Sequence, residues 1–235
     1  MLFRSILLPP RLQFEEQEQI AELKAWWKQY GNLVTGIITA AALAALAWQG
    51  WNWYQRQQSA QAAVVFASLQ KAIASNDSQR MKAASGELFD KYGRTAYAPL
   101  AALKTARALL DAGDVKTARV QLAWVVEHGK DELRDVARLR LAALMLDEQA
   151  YDEALKLLDG TSVAGFAARF ADARGDVLAA QGKAGEARAA YQSALSGLDA
   201  ADGSGKGRNS LQDSQANAAY RESLQLKLDA LGEPG

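Results

Sequence analysis

The sequence predicts an all-α protein: a single N-terminal membrane-spanning helix, a solenoid of stacked helix pairs, and a last helix that closes the stack. Three observations predict it. About 27 consecutive residues between Lys28 and Arg56 carry no charge. From Gln57 onward, long amphipathic segments rich in Ala and Leu alternate with short breaks, and no stretch sustains the period-two alternation of a half-buried strand. Those breaks, finally, recur at a nearly constant interval, the mark of an internal repeat.

Residues 1–31 form the first segment. Met1 to Phe14 is short and semi-apolar, and Pro9-Pro10 breaks it. From Glu15 to Tyr30 the spacing of Ile20, Leu23, Trp27 and Tyr30 is helical. Glu15, Glu16, Glu18 and Glu22 lead and Lys24 and Lys28 follow, an order that suits the helix dipole.

Residues 32–54 are the predicted span. Leu33 to Trp48 is apolar apart from Thr35, Gly36 and Thr39, and about 20 such residues cross a hydrocarbon core of roughly 30 Å. Aromatic residues stand at both ends: Trp26, Trp27 and Tyr30 before, then Trp48, Trp51, Trp53 and Tyr54 after. Trp27 and Trp48 lie roughly 32 Å apart at the helical rise, the separation of two interfacial belts in contact with membrane lipid. Gly36, Ala40 and Ala44 form a row of small residues, a candidate helix–helix contact within the membrane. Arg11, Lys24 and Lys28 precede the span, whereas Arg56 alone follows closely. The bias places residues 1–31 in the cytoplasm and the large C-terminal part outside. Ala60-Gln61-Ala62 has the form of a cleavage site but lies well beyond the apolar run, so an uncleaved anchor is expected.

Residues 55–199 carry the repeat. Ala84, Ala118, Ala154 and Ala187 each open the second helix of a pair, at spacings of 34, 36 and 33 residues. The interval matches the roughly 34-residue tetratricopeptide unit. Gly175 takes the tight-packing position of the last unit, Gly182 its turn, and Tyr191 and Ala194 its second helix. Ala106, Leu109, Gly113, Ala118 and Leu122 correspond in one earlier unit, and Ala142, Leu144, Tyr151, Ala154 and Leu158 in the next. The first unit, about Ser59 to Lys91, is the least regular. Each pair leaves an apolar face that only its neighbour covers. Residues 200–210, AADGSGKGRNS, are a polar linker. Residues 211–235 are a capping helix whose Leu224, Leu226, Leu228 and Leu231 face the last repeat.

Four basic and four acidic residues precede Arg56, and the remainder of the 27 of each sign balance. No basic footprint for nucleic acid results. Cysteine is absent and His128 is the one histidine, placed at a helix end where it complements the dipole. No phosphate loop, nucleophile elbow or zinc-helix motif occurs. Asp131-Glu132 and Asp152-Glu153 fall at helix starts, where capping is their ordinary role. No enzyme activity, cofactor, metal or small-molecule substrate is therefore expected; a membrane-tethered protein-interaction module is. The first helices of the pairs, Pro99 to Asp111, Glu132 to Asp147 and Gly165 to Gln181, line the concave face of such a stack. Lys104, Arg107, Arg138, Arg169 and Arg174 point outward from them in this reading, with few neighbouring acids, as a mildly basic partner groove. Arg134, Arg138 and Arg140 together read as a solvated face.

The lead EEQEQIAELKAWWKQYGN (Glu15 to Asn32), the span, WNWYQRQQSAQAA (Trp51 to Ala63) and YGRTAYAPLAALKTARALLDAGDVKTARVQL (Tyr92 to Leu122) together resemble the YfgM-like family, the ancillary subunits of the bacterial Sec translocon. Met1 to Phe14 falls outside the family's pattern, and 203–215 looks like an insertion. The resemblance implies a single-pass bacterial inner-membrane protein with a periplasmic domain. It implies association with SecYEG and with a membrane-anchored periplasmic chaperone of the prolyl-isomerase type, and a part in handing on exported envelope proteins. It carries over no catalytic residue. The alternative is a tetratricopeptide-type envelope scaffold or assembly factor unrelated to the translocon.

Overall fold

The computed structural model describes the backbone of residues 10–160, 162–203 and 211–232, and the side-chain surroundings of 24–160, 162–199, 215 and 217–232. Residues 1–9 of the N-terminal segment, 204–210 of the expected linker and 233–235 lie outside the described residues. The elements are α1 (Pro10–Ala74), α2 (Ser78–Tyr92), α3 (Tyr97–Asp111), α4 (Val115–His128), α5 (Asp131–Asp147), α6 (Tyr151–Leu158), a single 3-10 turn (Ala164–Phe166), α7 (Ala167–Ala180), α8 (Ala184–Gly203) and α9 (Leu211–Ala230).

Three segments that the sequence separates, the lead, the span and the first repeat helix, are one unbroken helix of 65 residues, α1. The reason is local. No proline occurs between Pro10 and Pro99, and the glycines in between stand singly among helix formers. Pro10 does not break this helix but opens it, at a position where its missing N–H forfeits no bond. The chain divides into two units between Gln57 and Gln58.

In the first unit α1 is apolar and uncovered. Leu33, Ile37, Ile38, Leu43 and Leu46 are each more than 60% exposed, and from Lys24 on α1 is long and apolar enough to cross a membrane. The hydroxyl of Thr39 donates to the Thr35 carbonyl at 2.8 Å, so this polar group inside the apolar run is satisfied within the helix. Trp26 and Tyr30 pair at one end of the run, 5.8 Å between ring centroids. Trp51 and Tyr54 pair at the other, at 6.3 Å.

In the second unit the repeat is written in its turns. Asn76, Gly113, Gln149 and Gly182 all have left-handed backbones, with φ of 52°, 81°, 60° and 76°. Each stands between the two helices of a pair and closes the first helix in the same way. Its own N–H donates three residues back, to Ile73, Leu110, Leu146 and Ala179 respectively, at 2.9–3.1 Å. The next N–H, of Asp77, Asp114, Ala150 and Lys183, donates five residues back at 2.8–2.9 Å. This is the Schellman closure, which satisfies carbonyls the helix end would leave bare. Asp77 and Asp114 then cap the second helices by accepting from the N–H groups of Arg80 and Thr117 at 3.0 and 3.1 Å. The four pairs are therefore the end of α1 with α2, α3 with α4, α5 with α6, and α7 with α8. The least regular unit in sequence has the full turn.

Small residues let the helices of a pair approach. Ala118, Ala154 and Ala187 are wholly buried and Ala84 nearly so. At Gly175 the approach is close enough that an added Cβ would lie 2.4 Å from Cε1 of Tyr191. The core runs from Ala62, Leu69 and Leu88 through Leu122, Val125 and Leu141 to Phe170 and Val177. A second cluster joins Ala168, Leu178, Ala187, Tyr191, Ala194 and Leu198 to Leu224 of α9.

Three boundaries and placements differ from the sequence expectation. The third first-helix starts at Ala167, not Gly165, because Gly165 lies in the 3-10 turn. Helix α8 runs on through Ala200, Ala201, Asp202 and Gly203, into the stretch expected to be linker; the Ala pair prolongs the helix. Leu226 is 64% exposed, since only Leu224, Leu228 and Leu231 share the inward face of α9. Ala60-Gln61-Ala62 lies in mid-helix, with Ala62 buried in the core.

Two glycines give opposite expected outcomes. Gly175→Ala forces its methyl against Tyr191, and overpacking of about 1–3 kcal/mol outweighs the helix propensity of about 1 kcal/mol that alanine adds. Gly86, mid-helix in α2, has nothing within 4 Å of an added Cβ, so Gly86→Ala stabilises by up to about 1 kcal/mol. Urea midpoints of the two variants are expected to move in opposite directions; equal shifts contradict the packing at Gly175.

Candidate functional site

The five basic residues expected in one groove fall into different surroundings. Lys104 and Arg107, a turn apart on α3, share a cavity of about 300 Å³ with Gln70, Ile73 and Ala74 of α1 and Ala108 and Asp111 of α3. Ile73, Ala74 and Ala108 make its apolar lining. Arg107 is not without an acid: its Nε lies 3.0 Å from Asp111, an exposed pair one turn apart. Lys104 is exposed beside it. Arg169 is exposed on α7. Arg174, also exposed, pairs with Asp159 across the connection that precedes α7.

Arg138 corrects the expectation outright. It is only 7% exposed. Its Nε and Nη2 both donate to the Leu157 carbonyl, at 2.9 and 2.7 Å. Nη1 meets Asp135, itself buried, at 3.3 Å, and the guanidinium lies 4.5 Å over the Phe170 ring. The other Asp135 oxygen accepts from the Val163 N–H at 2.7 Å. The cause is the shortness of α6. A helix of 8 residues ending inside the stack needs donors for its last carbonyls, and Arg138 supplies two of them. The Arg134, Arg138, Arg140 series is thus a solvated face only at its outer members. Arg134 donates to Gly129 and Arg140 reaches the Leu103 carbonyl of α3 at 3.4 Å.

A polar cluster that sequence reasoning missed fastens α9. Lys227 Nζ lies 2.7 Å from Asp172 and 2.6 and 2.8 Å from the two oxygens of Asp176. Tyr220, also on α9, donates to Asp172 at 2.9 Å. Tyr191 of α8 donates to Asp176 at 2.9 Å. Burial first, then the neighbouring carboxylates, pushes both tyrosine hydroxyls up from their ordinary value. Burial alone pulls the Lys227 ammonium down, but its hydrogen bonds to Asp172 and Asp176 more than offset that, and it ends raised. A raised folded-state value means that its contribution is whole below the ordinary 10.5 and fades only as pH climbs through the folded value. A signal was available. In the register of Ala106, Ala142 and Gly175, Asp172 corresponds to Leu103 and Leu139, and Asp176 to Arg107 and Ala143.

In the span, Gly36 has nothing within 4 Å of an added Cβ, and Trp26, Trp27, Tyr30, Trp48, Trp51, Trp53 and Tyr54 are all more than 40% exposed. His128 closes α4 with its ring stacked on Trp124 at 4.7 Å and Nδ1 3.1 Å from the Trp124 carbonyl. Among the described residues no group of three or more His, Cys, Asp or Glu is arranged to hold a metal.

Comparison with known proteins agrees with this architecture. A family model described as a tetratricopeptide repeat-like domain matches residues 24–233. The ancillary SecYEG translocon subunit of Neisseria gonorrhoeae is 33% identical over 222 residues, 92% of this chain and 97% of that protein. The proteins of the same name from Haemophilus influenzae and Escherichia coli are each 29% identical, over 77% of this chain and 88% and 87% of their own lengths. No solved structure matches.

Charge reversal separates the two kinds of arginine. Arg138→Glu sets a second carboxylate beside buried Asp135 and strips the end of α6; a loss of about 3–5 kcal/mol is expected. Arg174→Glu breaks an exposed pair and costs within about 1 kcal/mol. Unfolding of the two variants in urea measures the difference, and equal midpoints contradict the clamp.

Proposed function

The chain belongs to the family of tetratricopeptide repeat-like ancillary SecYEG translocon subunits, and from that membership we propose that it is an inner-membrane interaction module working beside SecYEG. The observation that carries the reading is the 33% identity to a protein of that name over nearly the whole of both chains. An anchor in the translocon's own membrane holds the repeat domain near its partners and raises their effective concentration. The role is that of an adaptor, with no chemistry of its own.

Finer parts of the reading follow from the residues. Arg11, Lys24 and Lys28 before the span, against Arg56 after it, favour a cytoplasmic N-terminus and a periplasmic repeat domain. There the domain assists the handover of exported proteins with a membrane-anchored chaperone of the prolyl-isomerase type. The cavity at Lys104 and Arg107 is the site we assign to that contact. Its apolar lining accepts a nonpolar side chain, and its two cations against one Asp111 favour an acidic neighbour in the partner segment.

Three measurements test this. A tagged chain purified from gently solubilised membranes is expected to bring SecYEG and the chaperone with it; recovery of other envelope machinery without SecYEG speaks for the unrelated scaffold instead. Lys104→Glu with Arg107→Glu, which breaks only the exposed Arg107–Asp111 pair, is expected to leave the fold within about 1 kcal/mol and to reduce chaperone recovery, most clearly at low salt. Unchanged recovery removes the cavity as the contact. For orientation, a reporter fused after Leu231 that works only outside the cytoplasm is expected to be active; activity of a cytoplasm-only reporter at that point reverses the orientation.

A further inference from the structure

Two aspartates stand at the end of the repeat stack where the earlier pairs have Leu103 with Arg107 and Leu139 with Ala143. A carboxylate pair in an otherwise apolar helix interface is costly unless a cation meets it. Asp172 has a side chain only 15% exposed, Asp176 is one turn along the same helix, and the ammonium of Lys227 touches both. The apolar surface around them, from Ala168, Leu178, Ala187, Ala194 and Leu198, is covered by Leu224 of α9.

Half of this arrangement is made by α7 and α8 themselves. Gly175 lets Tyr191 of α8 press against α7, and the Tyr191 hydroxyl then holds Asp176 at 2.9 Å. The Tyr191 ring also forms a wall of the ammonium pocket, 5.5 Å from Lys227 Nζ. With α9 lifted away, Lys227 no longer meets Asp172 and Asp176, while the Tyr191 contact to Asp176 lies wholly within the α7–α8 pair. What remains is an apolar face holding a prearranged receptor for one primary ammonium group.

We propose that this α7–α8 face is a docking site for a lysine-bearing amphipathic helix of a partner protein, and that α9 is its resident, exchangeable occupant. The residues of α9 define what the site takes. Tyr220 meets Asp172, Leu224 fills the apolar centre, and Lys227 bridges Asp172 and Asp176. The partner helix presents an aromatic hydroxyl, a leucine four residues on and a lysine three residues after that, all on one face. Charge complementarity selects it, since a helix with Leu or Glu in the lysine position leaves the carboxylate pair unmet. This site is separate from the cavity at Lys104, and the proposal stands or falls independently of the translocon reading.

The experiment uses the full chain in detergent and a fluorescein-labelled peptide of residues 211–232 as the probe. Lys227→Glu in the chain repels its own α9 and leaves Asp172 and Asp176 in place. This variant is expected to bind the peptide about tenfold more tightly than the wild-type chain, whose site is filled, a difference of about 1.4 kcal/mol. Adding Asp172→Asn and Asp176→Asn to the same chain is expected to remove that gain, as is Lys227→Ala in the peptide. Lys227→Ala in the chain serves if the Glu variant does not melt cooperatively. No binding to either opened chain overturns the proposal. So does equal binding to the Asn-substituted chain, which makes the contact merely apolar, or equal binding to the wild type, which removes α9 as the occupant.

Discussion

Every helix pair of the second unit depends on one short turn in which a single residue takes a left-handed backbone and two N–H groups fold back onto the helix just finished. Asn76, Gly113, Gln149 and Gly182 adopt it alike. The turn sets the angle at which the second helix leaves, and that angle brings Ala84, Ala118, Ala154 and Ala187 to the crossings. Two glycines reach this conformation without steric cost; Asn76 and Gln149 reach it against theirs. Packing on either side of the turn over-determines it, which is why two of the four positions hold this conformation without glycine.

What was legible in the sequence was what local spacing encodes. The crossings recur at 34, 36 and 33 residues, and Gly175 and Gly182 are residues whose absence of a side chain is itself the signal. The span was legible for the same reason, since a run without charge and with aromatic ends has few alternatives in a single helix. Where the expectation failed, the deciding partner was distant in sequence. Arg138, with Arg134 and Arg140, has the look of a charged outer face. It turns inward because α6 stops after 8 residues and leaves the Leu157 carbonyl, 19 residues away, in need of donors. Lys227 finds Asp172 and Asp176 across 55 and 51 residues. Neither contact has a period, and neither is visible until the repeats are laid in register.

The two units solve the same requirement by different means. In the span the Thr39 hydroxyl is closed within the helix, on the Thr35 carbonyl, where hydrocarbon offers no partner. In the repeat domain several buried polar groups are instead closed between helices. Ser85 and Thr105 join α2 to α3 through their hydroxyls at 2.9 Å, Arg138 joins α5 to α6, and Tyr191 joins α8 to α7. A buried polar pair of this kind adds little net stability but has one partner geometry. The hydroxyl and guanidinium contacts therefore act on register more than on strength, while the alanine crossings and leucines supply the burial.

Helix α7 belongs to two cores. Phe170 and Val177 pack into the long cluster that begins at Ala62, whereas Ala168 and Leu178, on its other face, pack with α8 and α9. In a stack of nearest neighbours, cooperativity is carried by whatever element two adjoining blocks share. Neither block can melt while leaving α7 folded against the other, because each would then expose half of its surface to water. The two blocks are in this sense coupled through α7. Opening either block therefore uncovers one face of α7, and the cost of that exposure falls on both blocks.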